Sequence, residues 1–214
     1  RHDVESRGLG DVYKRQEFKD IAVLTRGKTA KAERIISELV KRGVPVASSA
    51  EYNICDYAEV KTMIEILKYI DNAAQDIPLA AALRSAVGGV SDEELAKIRA
   101  SCSQYISKSP ENGGSREDLP FYVACAEYAR TGADALAEKL KKFFSLAEKY
   151  RFLASVKSAA EIMAGLLSET DLQISLLSMP CGAERLSRVM RLIAEAGTLT
   201  VPEFLDKLKA GGYK

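Results

Sequence analysis

Arg185, Arg188 and Arg191 recur at a spacing of three near the carboxyl end of the 214-residue chain, which places them on one stripe of a helix. Such a stripe can hold a phosphate backbone. It can equally be a solvated face that alternates with Leu186, Val189 and Leu192 toward a core. Gly27-Lys28-Thr29 falls between an apolar run and a helical pattern, where the end of a phosphate-binding P-loop would lie. The glycine such a loop needs further upstream is replaced by Ala22, inside the run, so an ordinary strand-to-helix turn is expected instead. Arg26 stands at the carboxyl end of that expected strand, an anion-friendly place that specifies no particular anion.

Other reactive groups have plainer readings. Glu51, Asp92, Glu93 and Glu94 are carboxylates expected at helix starts, where they complement the dipole. Phe143, Phe144, Tyr150 and Phe152 fit core packing of a long helix; stacking on single-stranded bases would require them to be exposed beside a basic groove. The only histidine is His2 and there is no Trp, so the body of the chain has no imidazole for general-base catalysis or metal ligation. Cys55, Cys102, Cys125 and Cys181 lack the close spacing of a zinc knuckle or redox dithiol and are read as reduced, mostly buried thiols. With 31 basic and 30 acidic side chains, net charge gives no argument for polyanion binding by the chain as a whole.

The elements that must position these groups follow from periodicity. Residues 1–16 show neither helical nor strand spacing and resemble a translated sequencing-adapter scar, so they are set aside as non-native and the chain is expected to begin within a longer protein. Ile21-Ala22-Val23-Leu24 reads as a strand buried on both faces. A helix over Ala32–Arg42 stopped by Gly43, and a short strand Val44–Ala47 carrying Pro45, complete a parallel strand-helix-strand unit. Asp56 and Glu59 resemble a capping box that opens a helix with Val60, Met63, Ile64, Leu67 and Ile70 on one face, closing at Asp71-Asn72. A short helix through Pro78–Leu83, a full capping box at Ser91 and Glu94, and a loop over residues 105–118 follow. Helices are then expected at about 119–130, 133–153, 156–168, 181–197 and 201–209, the last capped by Thr200. The expected class is α/β, then mostly α. No apolar stretch approaches the roughly 20 residues of a bilayer-spanning helix, and the start lacks a secretory signal, so a cytoplasmic location is expected.

Several segments together resemble superfamily 1 DNA helicases of the UvrD/Rep type, and within them the A subunits of the bacterial AddAB helicase-nucleases. They are Asp20–Arg26, Gly43–Val46, Glu59-Val60, Ile70–Leu79, Leu83-Arg84-Ser85 and Met179-Pro180-Cys181-Gly182 with Arg185. The resemblance implies a partial second RecA-like motor domain over residues 17–90 and a partial helical accessory subdomain over 91–214. It implies ATP and Mg²⁺ as cofactors of the parent protein, DNA as single strands and duplex ends, a partner in the form of a second helicase-nuclease subunit, and a role in double-strand-break repair. The Walker motifs, the later helicase motifs and the nuclease domain of the family are missing, so this piece alone is expected to bind no cofactor and to catalyse nothing. Arg26, Arg84, Arg185, Arg188 and Arg191 are the residues the resemblance favours as DNA contacts. Ala86 stands where relatives tend to have Pro, and Arg188 where they commonly have Asn, which weakens a fixed contact at those positions. The alternative is a free-standing helical module that binds a protein partner.

Overall fold

The computed structural model describes residues 17–24, 30–46, 53–106 and 119–211, without the side chains of 30–33, 37 and 102–106. The chain divides into two compact units, Arg1–Glu51 and Tyr52–Lys214. In the first, helix α1 (Ala30–Lys41) forms as expected, and Gly43 stops it at φ +74, a conformation without the Cβ penalty of other residues. The amides of Gly43 and Val44 close the end on the carbonyls of Val40 and Leu39.

The strand-helix-strand expectation fails. Among the described residues there is no strand: Ile21–Leu24 and Val44–Val46 are irregular, and Leu24 is 95% exposed. An apolar run becomes a strand only when its backbone groups pair with a neighbour, and neither segment does so. The Ile21 amide is spent on a 3-10 turn, bonding the Phe18 carbonyl at 3.2 Å, and Pro45 has no N–H to give. The α/β class is therefore corrected to all-helical over the described residues.

The second unit holds nine helices among the described residues: α2 (Ala58–Asp71), α3 (Asp76–Arg84), α4 (Asp92–Ile106), α5 (Phe121–Thr131), α6 (Ala135–Ala154), α7 (Ala159–Glu169), α8 (Leu172–Ser178), α9 (Gly182–Ala196) and α10 (Val201–Lys209). Helix α2 is the axis of this body and packs against α3, α6, α7, α9 and α10. The expected face of Val60, Met63, Ile64, Leu67 and Ile70 is buried, and so are Glu59, Ile66 and Tyr69 on a second face. A helix hydrophobic on most sides sits inside a body rather than on its surface. Around it Leu79, Leu83, Leu140, Ile162, Met163 and Phe204 are fully enclosed.

Specific bonds fix the order of the helices. Ser91 and Glu94 form the expected capping box of α4; Thr200 caps α10 as expected and with Glu203 makes a full box, and a third box, Ser158 with Glu161, opens α7. Asp76 caps α5 across the fold, accepting from the amides of Phe121 and Tyr122 at 2.9 and 3.0 Å. The Arg151 guanidinium donates to the last carbonyls of α2, Tyr69 and Ile70, and so closes its negative end. Helix α4 runs to Ile106, and the rest of the expected loop lies outside the described residues.

Asp134 ties three helices together. Its carboxylate accepts from Lys97 of α4 and from the Tyr128 hydroxyl of α5, each at 2.7 Å, and caps α6 through the Ala137 amide at 3.0 Å. The Lys97 bond, then the Tyr128 and Ala137 bonds, hold this carboxyl well below the usual carboxylate range. A depressed carboxylate contributes stability that is present above its unfolded value and is lost as pH falls through the folded one. We expect the melting temperature to fall as the solution is acidified below about pH 4, and Asp134→Asn to flatten part of that decline. An unchanged acid limb in the variant would assign the decline to other carboxylates.

Candidate nucleic-acid interface

The arginines of interest sit on α9, whose start is unusual. Cys181, its N-cap, is exposed and left-handed at φ 57, the only described non-glycine residue with positive φ. Gly182 follows, buried against the end of α8. This turn aims the first face of α9 at the amino end of α2, with Val189, Leu192 and Ala196 buried.

There the structure brings Arg185 and Arg188 together on one carboxylate. Glu59, the only described charged residue in the buried class, has a side chain 2% exposed. Its Oε2 accepts from Arg185 Nη1 at 2.8 Å and its Oε1 from Arg188 Nη1. Arg185 Nε also donates to the Pro180 carbonyl at 3.0 Å, so one guanidinium fastens both the turn and the neighbouring helix. Arg188 lies over the Tyr57 ring, 3.9 Å from its centroid. Glu59 occupies the first turn of α2, where the helix dipole adds to the two positive charges. The expected capping box of Asp56 and Glu59 is not made: Asp56 lies in a 3-10 turn, Ile54–Asp56, capped by Asn53, and the Glu59 carboxylate is committed to the arginines. Beside this cluster, burial pushes the Cys55 thiol pKa up, and the charges of Asp56 and Glu195 add to the rise.

Arg191 is placed differently. A spacing of three turns an α-helix by about 300°, so successive arginines step round by about 60°. Arg185 and Arg188 are held at the helix interface with side chains 31% and 28% exposed, while Arg191 is 60% exposed and reaches Glu195 at 3.5 Å. Arg84 belongs to another corner, the α3–α4 junction, where it pairs with Asp92 at 2.6 Å and remains 60% exposed. Arg26, Glu51 and Gly27-Lys28-Thr29 lie outside the described residues. Asp92, Glu93 and Glu94 occupy the first turn of α4, and Glu94 binds Lys139 at 2.7 Å.

Neither Glu59 nor Tyr57 belongs to a basic stripe, so the arginine pattern does not point to them. Glu59 was visible in another way: Glu59, Met63, Ile66 and Ile70 recur at i, i+4, i+7 and i+11, a buried series whose first member is an acid and so demands cations. No group of three or more His, Cys, Asp or Glu side chains converges on a metal position among the described residues. No described helix is long and apolar enough to cross a membrane.

The chain belongs to the UvrD-like helicase C-terminal domain family, which it matches over residues 7–193. It is 32% identical over 190 residues to the A subunit of the ATP-dependent helicase/nuclease of Bacillus licheniformis, covering 88% of this chain and 14% of that relative. It is 31% identical over 206 residues to the protein of the same name in Anoxybacillus flavithermus, covering 92% of this chain and 16% of the relative. The one in Clostridium acetobutylicum is 29% identical over 208 residues, 93% and 15% respectively. The chain thus spans about one-seventh of the length of the relatives it matches.

Proposed function

We propose that this chain is part of an ATP-dependent DNA helicase-nuclease that works in double-strand-break repair, and that its helical body supplies accessory surface along which DNA moves. The observation that carries the proposal is family membership over residues 7–193, together with relatives named as helicase/nuclease subunits. A compact helical body is common to an inserted subdomain and to a free-standing interaction module, so packing alone does not favour the second reading.

In this reading residues 17 to about 90 belong to the motor portion of the parent and those from 91 onward to the accessory subdomain, and α2 packs against α6, α7, α9 and α10 across that boundary, so the helical body is shared between the two. ATP and Mg²⁺ act elsewhere in the parent, a second subunit joins it, and the work is cytoplasmic. Of the described candidate arginines, Arg84 and Arg191 offer the more exposed guanidinium groups to phosphates. Arg185 and Arg188 present the N–H groups that Glu59 leaves unused, and Arg26 is a further candidate. Contacts of this kind position a strand and read no sequence.

The test is the affinity of the 214-residue chain for labelled DNA of several unrelated sequences at two salt concentrations, with ATP turnover measured in parallel. Binding that weakens steeply with salt and is indifferent to sequence, with no ATP hydrolysis, is expected. Salt-insensitive or absent binding overturns the DNA-surface role, and DNA-stimulated ATP turnover overturns the placement of the motor chemistry elsewhere in the parent.

A further inference from the structure

The aromatic series of α6 divides sharply once folded. Phe143 and Tyr150 are buried in the core and Phe144 packs against it, whereas Phe152 is 74% exposed. Phe152 does not stand alone. Lys142, Ser145, Lys149 and Phe152 follow at spacings of three, four and three, all exposed, so they form one outward stripe along about 15 Å of helix. Val156, equally exposed, extends the stripe in the turn beyond. Lys141, Lys142, Ser145, Leu146 and Lys149 line a shallow cleft of about 470 Å³ on this helix.

The charges on this face favour an anion. Lys142 has no ion pair within 4 Å among the described residues, and its charge reaches Glu138 only through space. Lys141 pairs with Glu138 at 2.8 Å and Lys149 with Glu169 at 2.6 Å. Glu148 is exposed on the same helix, and Lys157 lies close enough to act on Glu169. An ammonium has three donors, so Lys149 keeps two after its bond to Glu169. An exposed ring beside such lysines has the two parts that single-stranded nucleic acid needs, a stacking surface and a backbone clamp. A duplex keeps its base faces inside the stack and would leave the ring unused.

We propose that the outward face of α6 is a contact for single-stranded DNA, with Phe152 stacking on a base and Lys142 and Lys149 holding flanking phosphates. It rests on the reading that the parent acts on DNA. The experiment is fluorescence anisotropy with the 214-residue chain, a labelled 20-nucleotide oligo(dT) and a blunt 20-base-pair duplex, comparing Phe152→Ala, Lys142→Ala/Lys149→Ala and Arg191→Ala, with circular dichroism to show an unchanged helical content. Phe152→Ala is expected to weaken oligo(dT) binding about tenfold, to leave the duplex within about twofold, and to leave the salt slope unaltered. The double lysine variant should flatten the slope of log affinity against log salt by about 1.4 for the single strand. Phe152→Ala binding oligo(dT) as tightly as the parent chain, or losing both DNA forms equally, overturns the platform. If Arg191→Ala weakens binding in that case, the DNA reading survives without it. A shift in self-association with no change in DNA affinity makes the face a protein contact and overturns the proposal. A chain that binds neither DNA form at low salt overturns both readings.

Discussion

Replacing Arg185 and Arg188 together by Ala is expected to destabilise the helical body by about 3–5 kcal/mol, because it strands a buried carboxylate without its cations. Glu59 is 2% exposed and takes one bond from each guanidinium. For a body of this size that loss corresponds to a fall in melting temperature of roughly 6–20 °C. A control separates charge from packing: Glu59→Leu with Arg185→Met and Arg188→Met removes all three charges while keeping volume, and should recover most of the loss. A double alanine variant that melts within about 2 °C of the parent chain would show that the cluster holds nothing together.

Gly182→Ala is the second large effect, and it acts through the backbone. A Cβ built there would lie 2.4 Å from the Leu177 carbonyl oxygen, 2.7 Å from the Leu177 Cα and 2.8 Å from the Leu176 carbonyl oxygen. None of these is the end of a flexible side chain, so α8 and α9 must move apart. Overpacking of this kind costs about 1–3 kcal/mol and sometimes more. The shift also carries Arg185 away from Glu59, so we expect the upper end of that range and a melting temperature lower by roughly 5 °C or more. Ala183→Ser, one residue on and exposed, should leave it unchanged. Equal melting of Gly182→Ala and the parent chain would mean that α8 can yield at no cost.

Capping chemistry was legible before the fold because it is local. Ser91 with Glu94 forms the expected box and Thr200 caps α10 as expected, with Glu203 completing a second box, whereas the box read at Asp56 and Glu59 is lost because Glu59 is taken by Arg185 and Arg188. The face of α2 was legible from its spacing for the same reason. What failed depended on partners far along the chain. Ile21–Leu24 has the composition of a buried strand, but composition supplies no ladder, and the run stands exposed. Helix α8 is seven residues long, and its N-cap Asp171 makes no side-chain cap bond, so spacing gave it no marked start. The arginine stripe was visible as a pattern, but its division was not. Glu59 lies 126 residues before Arg185, and only the packing of α9 on α2 turns two arginines toward it.

In the proposed function the helical body offers DNA a sequence-indifferent phosphate surface in which Arg191 takes part directly. The decisive measurement is the slope of log affinity against log salt for a single-stranded oligonucleotide, on the parent chain and on Arg191→Ala. Arg191 is 60% exposed and makes only a long pair with Glu195, so its loss should leave the fold intact. The slope is expected to be shallower by about 0.7 in the variant, the change for one lost phosphate contact. Identical slopes, with both proteins equally folded, would contradict it.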